Sequence, residues 1–155
     1  MKPEPPHILL PNKELLDEAV YQLHQGHKIK LQAKGNSMYP FIANGRDAVI
    51  VQKNTRIRTG DIVLAQSEEG RFVLHRIYRI RDNQLTLMGD GNLQAQENSR
   101  KELVYGTVTE IIRNGRSIDC TSPTERCKAW IWRKLLPFRR YLLAACRIIN
   151  PIHNP

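Results

Sequence analysis

Apolar positions along the first quarter of the chain recur at helical spacing and then switch to strict alternation. Leu15, Leu16, Ala19, Val20 and Leu23 fall three and four apart, between Asn12 as an N-cap and Gly26 as a C-terminal stop. This pattern predicts one amphipathic helix over residues 13–25. From Lys28 the period becomes two, with Ile29, Leu31 and Ala33 set against Lys28, Lys30 and Gln32, and β patterning continues for about ninety residues. Strands are predicted near 47–53, 61–66, 71–80, 84–88 and 103–113. Turn residues separate them at Glu69-Gly70, Asp82-Asn83 and Asn114-Gly115, the last a strong hairpin signal. Strand follows strand with no helix between, so the fold class expected is mainly β: a partly closed antiparallel domain, and not a Rossmann-like sheet.

After Cys120 the composition turns to Trp, Leu, Ile and Arg, and the helical period returns. Trp130, Trp132, Leu135, Leu136, Phe138, Leu142 and Leu143 supply apolar surface. Arg126, Arg133, Arg140 and Arg147 are spaced by seven and would share one stripe of a continuous helix, drifting only ~20° per repeat. Pro137 should kink or divide that helix and open its second half as an N1 residue. The organisation expected is therefore an N-terminal tail and helix (1–27), a β domain (28–119) and a basic amphipathic C-terminal segment (120–155).

Charge sharpens this division. The chain of 155 residues carries 24 Lys and Arg against 15 Asp and Glu, for a net +9. Seven of the cations follow Glu125, where no acid occurs, which leaves seventeen cations against fifteen acids, or +2, for residues 1–125. A basic helix with tryptophans suits an anionic membrane surface, and it equally suits a helix packed on its own domain with a solvated basic face. Nucleic acid is not the partner expected, because no recognised binding module is present. Charges interrupt every apolar run before membrane-spanning length, and the start of the chain has no signal-peptide pattern. The expected location is cytoplasmic, with peripheral contact at the inner face of the membrane. Three cysteines without a CxxC pair fit a reducing compartment. No metal-ligand spacing and no phosphate-binding glycine loop occurs, so no metal and no cofactor is expected.

The candidate chemistry centres on two residues. Gly35-Asn36-Ser37-Met38-Tyr39-Pro40 displays Ser37 on a bend just past the first alternating strand, with Pro40 holding the chain extended behind it. Such residues also make ordinary turns. His75 shares a strand face with Val73 and Ile77, where it could act as a base or be a half-buried strand histidine. A serine hydroxyl becomes nucleophilic when a base at ~3 Å takes its proton, and histidine, ordinarily near pKa ~6.5, is ready for that role at neutral pH.

Ser37, Gly60-Asp61-Ile62-Val63, His75-Arg76 and Gly89-Asp90-Gly91-Asn92 occur in an order that resembles the signal peptidase I family and the related LexA-type self-cleaving repressors. Ser37-Met38 followed by Pro40 is similar to the nucleophile motif, and Gly60-Asp61 to the structural Gly-Asp strand. Gly89-Asp90-Gly91-Asn92 is similar to the late Gly-Asp-Asn segment. His75-Arg76 stands where bacterial leader peptidases have Lys-Arg and the endoplasmic-reticulum type has His-Arg. The resemblance covers roughly residues 28–112. It implies a LexA or signal peptidase type β fold and a serine endopeptidase that cuts an extended peptide or leader after a small side chain.

The roles are then Ser37 as nucleophile and His75 as general base; Asp90, in its glycine-flanked loop, either accepts from His75 and orients the imidazole or is an exposed turn residue. Asn36 and Met38 are the oxyanion or substrate-binding neighbours. Two positions depart from the family pattern. Gly35 replaces a serine that often serves as an oxyanion donor. Of Gln94, Ala95, Gln96 and Glu97, only Glu97 can substitute for the second acid found after the Gly-Asp-Asn segment. These departures keep open a second reading, a non-catalytic peptide-binding or membrane-docking module on the same fold.

Overall fold

The computed structural model describes residues 7–9 and 13–151. Asn12, the expected N-cap, lies outside the described residues. Helix α1 (Lys13–His24) buries Ala19 and Leu23 completely and ends at Gly26, whose φ of +85° is the left-handed conformation that terminates helices. The strands follow as β2 (Ile29–Gln32), β3 (Asp47–Gln52), β4 (Ile62–Gln66), β5 (Phe72–Arg81), β6 (Gln84–Met88), β7 (Glu97–Arg100), β8 (Val104–Arg113) and β9 (Arg116–Asp119), with β1 (His7–Leu9) ahead of α1. The first expected strand and the five that follow are thus present to within a residue or two. The Asn114-Gly115 hairpin is present too, with φ values of 51° and 74°.

The strands form one sheet in the order β1-β2-β3-β8-β4-β5-β6-β7, with β9 also paired to β8. Every pairing is antiparallel except that of β1 with β2. Strand β8 binds β3 along its second half, while its other edge serves β4 and then β9. One face of the sheet holds the main core, in which Leu31, Val49, Val51, Ile62 and Leu64 meet Ala19 and Leu23 of α1. The opposite face holds a smaller cluster of Val63, Ala65, Ile77, Leu85 and Leu87. Strands β3 and β4 are buried on both faces, which is why their sequences read as continuous apolar runs rather than alternation.

The C-terminal segment is helical and broken as Pro137 requires. Helix α2 (Pro123–Lys134) is capped by the Ser122 hydroxyl, a 3₁₀ turn covers Leu136–Phe138, and α3 (Arg139–Ile149) follows. The break defeats the expected single arginine stripe. Arg126 pairs with Asp61 at 3.0 Å and Arg133 donates to the Tyr78 carbonyl at 3.3 Å, whereas Arg140 and Arg147 are exposed. The buried positions are Ala129, Trp132, Arg139 and Leu143, while Ile131 and Ile149 face solvent. Trp132 and Leu143 pack with Tyr39 and Ala43, so both helices rest on the loop that carries Ser37.

Candidate active site

Ser37 lies in the loop between β2 and β3, whose conformation is set by short polar contacts. Gly35 takes φ +74°, the Asn36 carbonyl accepts from Tyr39 N–H at 3.1 Å, and the Met38 carbonyl accepts from Ile42 N–H at 3.0 Å. The chain therefore turns through 37–41, with a cis Tyr39–Pro40 bond, rather than running extended into Pro40 as the sequence suggested. Ser37 is half-buried. Its carbonyl accepts from Gly91 N–H at 2.8 Å, and the loop sits so close to Gly89 that a Cβ there would collide with the same oxygen. A Cβ on Gly91 would stand 2.7 Å from the Asn36 carbonyl. Only glycine permits this approach, which gives the Gly-Asp-Gly segment a physical role as the floor of the serine loop.

His75 lies on β5, next to Arg76, which pairs with Met88 at the end of β6. The Ser37 carbonyl packs against Gly89, and no hydrogen bond joins Ser37 to His75. His75 is 6% exposed. It shares the face of its register partner Val63 and of Ile77, where its Nδ1 lies 2.7 Å from Oε2 of Glu97 on β7. An ionised carboxylate there accepts from Nδ1–H, an arrangement that leaves Nε2 as the other ring nitrogen.

Asp90 does not take the place expected for it. It is fully buried and holds Arg76 with both oxygens, at 2.8 Å to Nε and 2.6 Å to Nη2. Neighbours on a strand point to opposite faces, so a carboxylate committed to Arg76 is on the wrong side of the sheet for His75. Burial opposes the charge of Arg76, but the adjacent Asp90 carboxylate outweighs it and holds the guanidinium above its ordinary pKa. The same guanidinium donates to the Gly60 carbonyl at 2.8 Å and lies over the Phe41 ring. This one ion pair therefore ties together the Gly60-Asp61 segment, β5, the Gly-Asp-Gly floor and the serine loop.

Asn36 and Met38 also serve the scaffold with their side chains. Asn36 Oδ1 accepts from Asn44 N–H at 3.4 Å, and Met38, 4% exposed, belongs to the main core. The braces from α2 and α3 were not legible as site residues. Trp132 Nε1 donates to the Asp90 carbonyl at 3.0 Å. Arg139 donates to the Asn92 carbonyl at 3.0 Å, to the Trp132 carbonyl at 3.2 Å and to the Tyr78 hydroxyl. Their only signal was an apolar-cationic helix of undetermined orientation. Glu97 had one, as the acid closest behind the Gly-Asp-Gly-Asn segment.

Comparison with known proteins gives one result that bears on this geometry. The family model described as Peptidase S24-like matches residues 9–105, which span the serine loop, His75, Asp90 and Glu97. No curated protein matches the chain.

Proposed function

Because the chain belongs to the Peptidase S24-like family, we propose that it is a serine endopeptidase in which Ser37 is the nucleophile, His75 the general base and Glu97 the residue that orients the imidazole. The observation that carries this reading is the His75–Glu97 pair, 2.7 Å apart with both side chains largely buried. With Nδ1–H engaged by Glu97, Nε2 takes the proton of Ser37 Oγ as the oxygen attacks the peptide carbonyl. The backbone N–H of Ser37 stabilises the resulting oxyanion. His75 then returns the proton to the departing amine, and water, activated by the same imidazole, hydrolyses the acyl-enzyme. The reaction requires Ser37 Oγ to come within hydrogen-bond reach of Nε2, and such contacts often tighten only when substrate binds.

The substrate class is an extended peptide or leader that lies beside a strand edge, where backbone hydrogen bonds supply affinity and a small pocket supplies selectivity. Replacing Ser37 or His75 by Ala should abolish cleavage of a peptide library while leaving the thermal midpoint within a few degrees. Undiminished cleavage by the Ser37→Ala protein would overturn the assignment.

The missing direct Ser37–His75 bond favours one other reading, a peptide-binding domain that has lost the reaction. A serine-directed phosphonate separates the two. It labels Ser37 in an activated site and leaves the binding domain unmodified.

A further inference from the structure

The inner sides of α2 and α3 rest on the sheet domain, Trp130 also lines the cleft between α2 and that domain, and the remaining outward sides of both helices carry exposed apolar side chains. Trp130, Phe138, Tyr141 and Ile148 are 56%, 60%, 70% and 83% exposed, far more than packed residues of such size. Phe138, Tyr141, Ala145 and Ile148 follow one another at three or four residues, so from the 3₁₀ turn through α3 they form one apolar stripe. Arg140 and Arg147 line the adjoining flank with Ala144. On α2, Lys134 lies between Trp130 and Ile131 with its ammonium over the Trp130 ring. No acidic residue follows Glu125, which is itself bonded to Lys128.

We propose that this outer face of α2 and α3 is an interfacial anchor that lies on an anionic lipid bilayer. Trp130, Phe138, Tyr141 and Ile148 enter the headgroup boundary, and Lys134, Arg140 and Arg147 rest on lipid phosphates. The charge pattern selects this occupant. A second copy would present the same cations and repel, and isoleucines at 131, 148 and 149 offer nothing to stacked bases. Tryptophan and tyrosine beside long cationic side chains match the polarity gradient of a bilayer interface. No helix among the described residues is long and apolar enough to cross a membrane, so the helices lie along the surface. Their inner sides hold Tyr39 and Ala43, which keeps the Ser37 loop about one helix diameter, ~10 Å, from the lipid. That last consequence rests on the peptidase reading; the docking itself does not.

The test is sedimentation of the full chain with phosphatidylcholine vesicles, with and without phosphatidylglycerol. Binding is expected to the anionic vesicles at low salt, at least ~10-fold weaker to neutral ones, and to fall as salt rises. Tryptophan emission should shift to the blue on binding, reporting Trp130, because Trp132 is already buried. Combined Trp130→Ser, Tyr141→Ser and Ile148→Ser replacements, all at exposed positions, should weaken binding at least ~10-fold, as should Arg140→Glu with Arg147→Glu. Peptide cleavage in solution reports the active site separately. The proposal is overturned by absence of vesicle binding at low salt, or by binding that the triple serine variant retains. A dimer or an RNA complex that this variant abolishes, without vesicle binding, overturns it equally.

Discussion

Glu97 and His75 meet at 2.7 Å across the end of β6, although they stand on strands that are not neighbours in the sheet. Leu87, between those strands, is the register partner of Glu97, so the two polar side chains close over an apolar cluster that includes Leu87 and Ile77. Both are nearly dry, with side chains 8% and 12% exposed. A hydrogen bond to a charged group in such surroundings is stronger than in water and fixes the ring in one tautomer.

Glu97→Gln should therefore lower kcat/KM by at least ~100-fold while the protein remains folded. An amide can donate as well as accept, and so it stabilises the tautomer with its proton on the catalytic nitrogen. Hydrolysis of a fluorogenic peptide, with thermal unfolding measured alongside, checks this. Activity within a few-fold of the parent would remove Glu97 from the mechanism.

Asp90→Asn should behave in the opposite way. Its carboxylate neutralises a guanidinium that is 4% exposed, and breaking a buried pair costs about 3–5 kcal/mol. Urea unfolding should show a loss of that size, with activity falling along with the folded fraction. A stable Asp90→Asn protein lacking only catalysis would return Asp90 to the role of imidazole orienter.

The contrast between Asp90 and Glu97 marks where the sequence stops being legible. Strand alternation, turn residues and the Asn114-Gly115 hairpin lay open most of the sheet, because each is a local signal. Strand β7, Glu97-Asn98-Ser99-Arg100, has no apolar residue to announce it. Its inward position is Ser99, fully buried with its hydroxyl donating to the Gln66 carbonyl at 2.7 Å. Without that strand, nothing in the sequence places Glu97 on the His75 face, whereas Asp90 stands in a glycine-flanked loop that the sequence does display. The ambiguity of the tail had the same origin, since helical spacing shows that faces differ but not which of them the sheet covers.

Asp47 gives the fold a defined acid limit. Burial pushes its carboxyl up, but hydrogen bonds from Arg113, Arg46 and the Ala43 N–H outweigh this and leave its pKa below the ordinary value. A carboxyl depressed in the folded state contributes stability that is fully present above its unfolded value, near ~3.9, and is lost as pH falls through the lower folded value. The urea midpoint of the parent should thus drop on acidification below pH ~4. Asp47→Asn should be less stable at neutral pH by about 3 kcal/mol and flatter across that acid range. An equally steep acid loss in the variant would assign the effect to other carboxylates.

Arg139 tests whether the tail is structural on its inner side. It is fully buried between the rings of Trp132 and Tyr78, with Nη1 on the Asn92 carbonyl and Nη2 on the Trp132 carbonyl. Arg139→Ala would leave a cavity and buried carbonyls without donors, for a loss of about 2–4 kcal/mol. Arg139→Lys should not restore it, because an ammonium cannot reproduce the planar fork or its stacking. Arg140, one residue on, is exposed, and Arg140→Ala should stay within about 0.5 kcal/mol. Because Tyr39 donates to the Asn150 carbonyl at 3.1 Å and packs with Leu143, loosening α3 also frees the loop of Ser37. Limited proteolysis of Arg139→Ala should therefore cut first within α3, and peptide cleavage should fall further than the folded fraction alone explains. Equal stability of Arg139→Ala and Arg140→Ala would show that α3 is dispensable to the site.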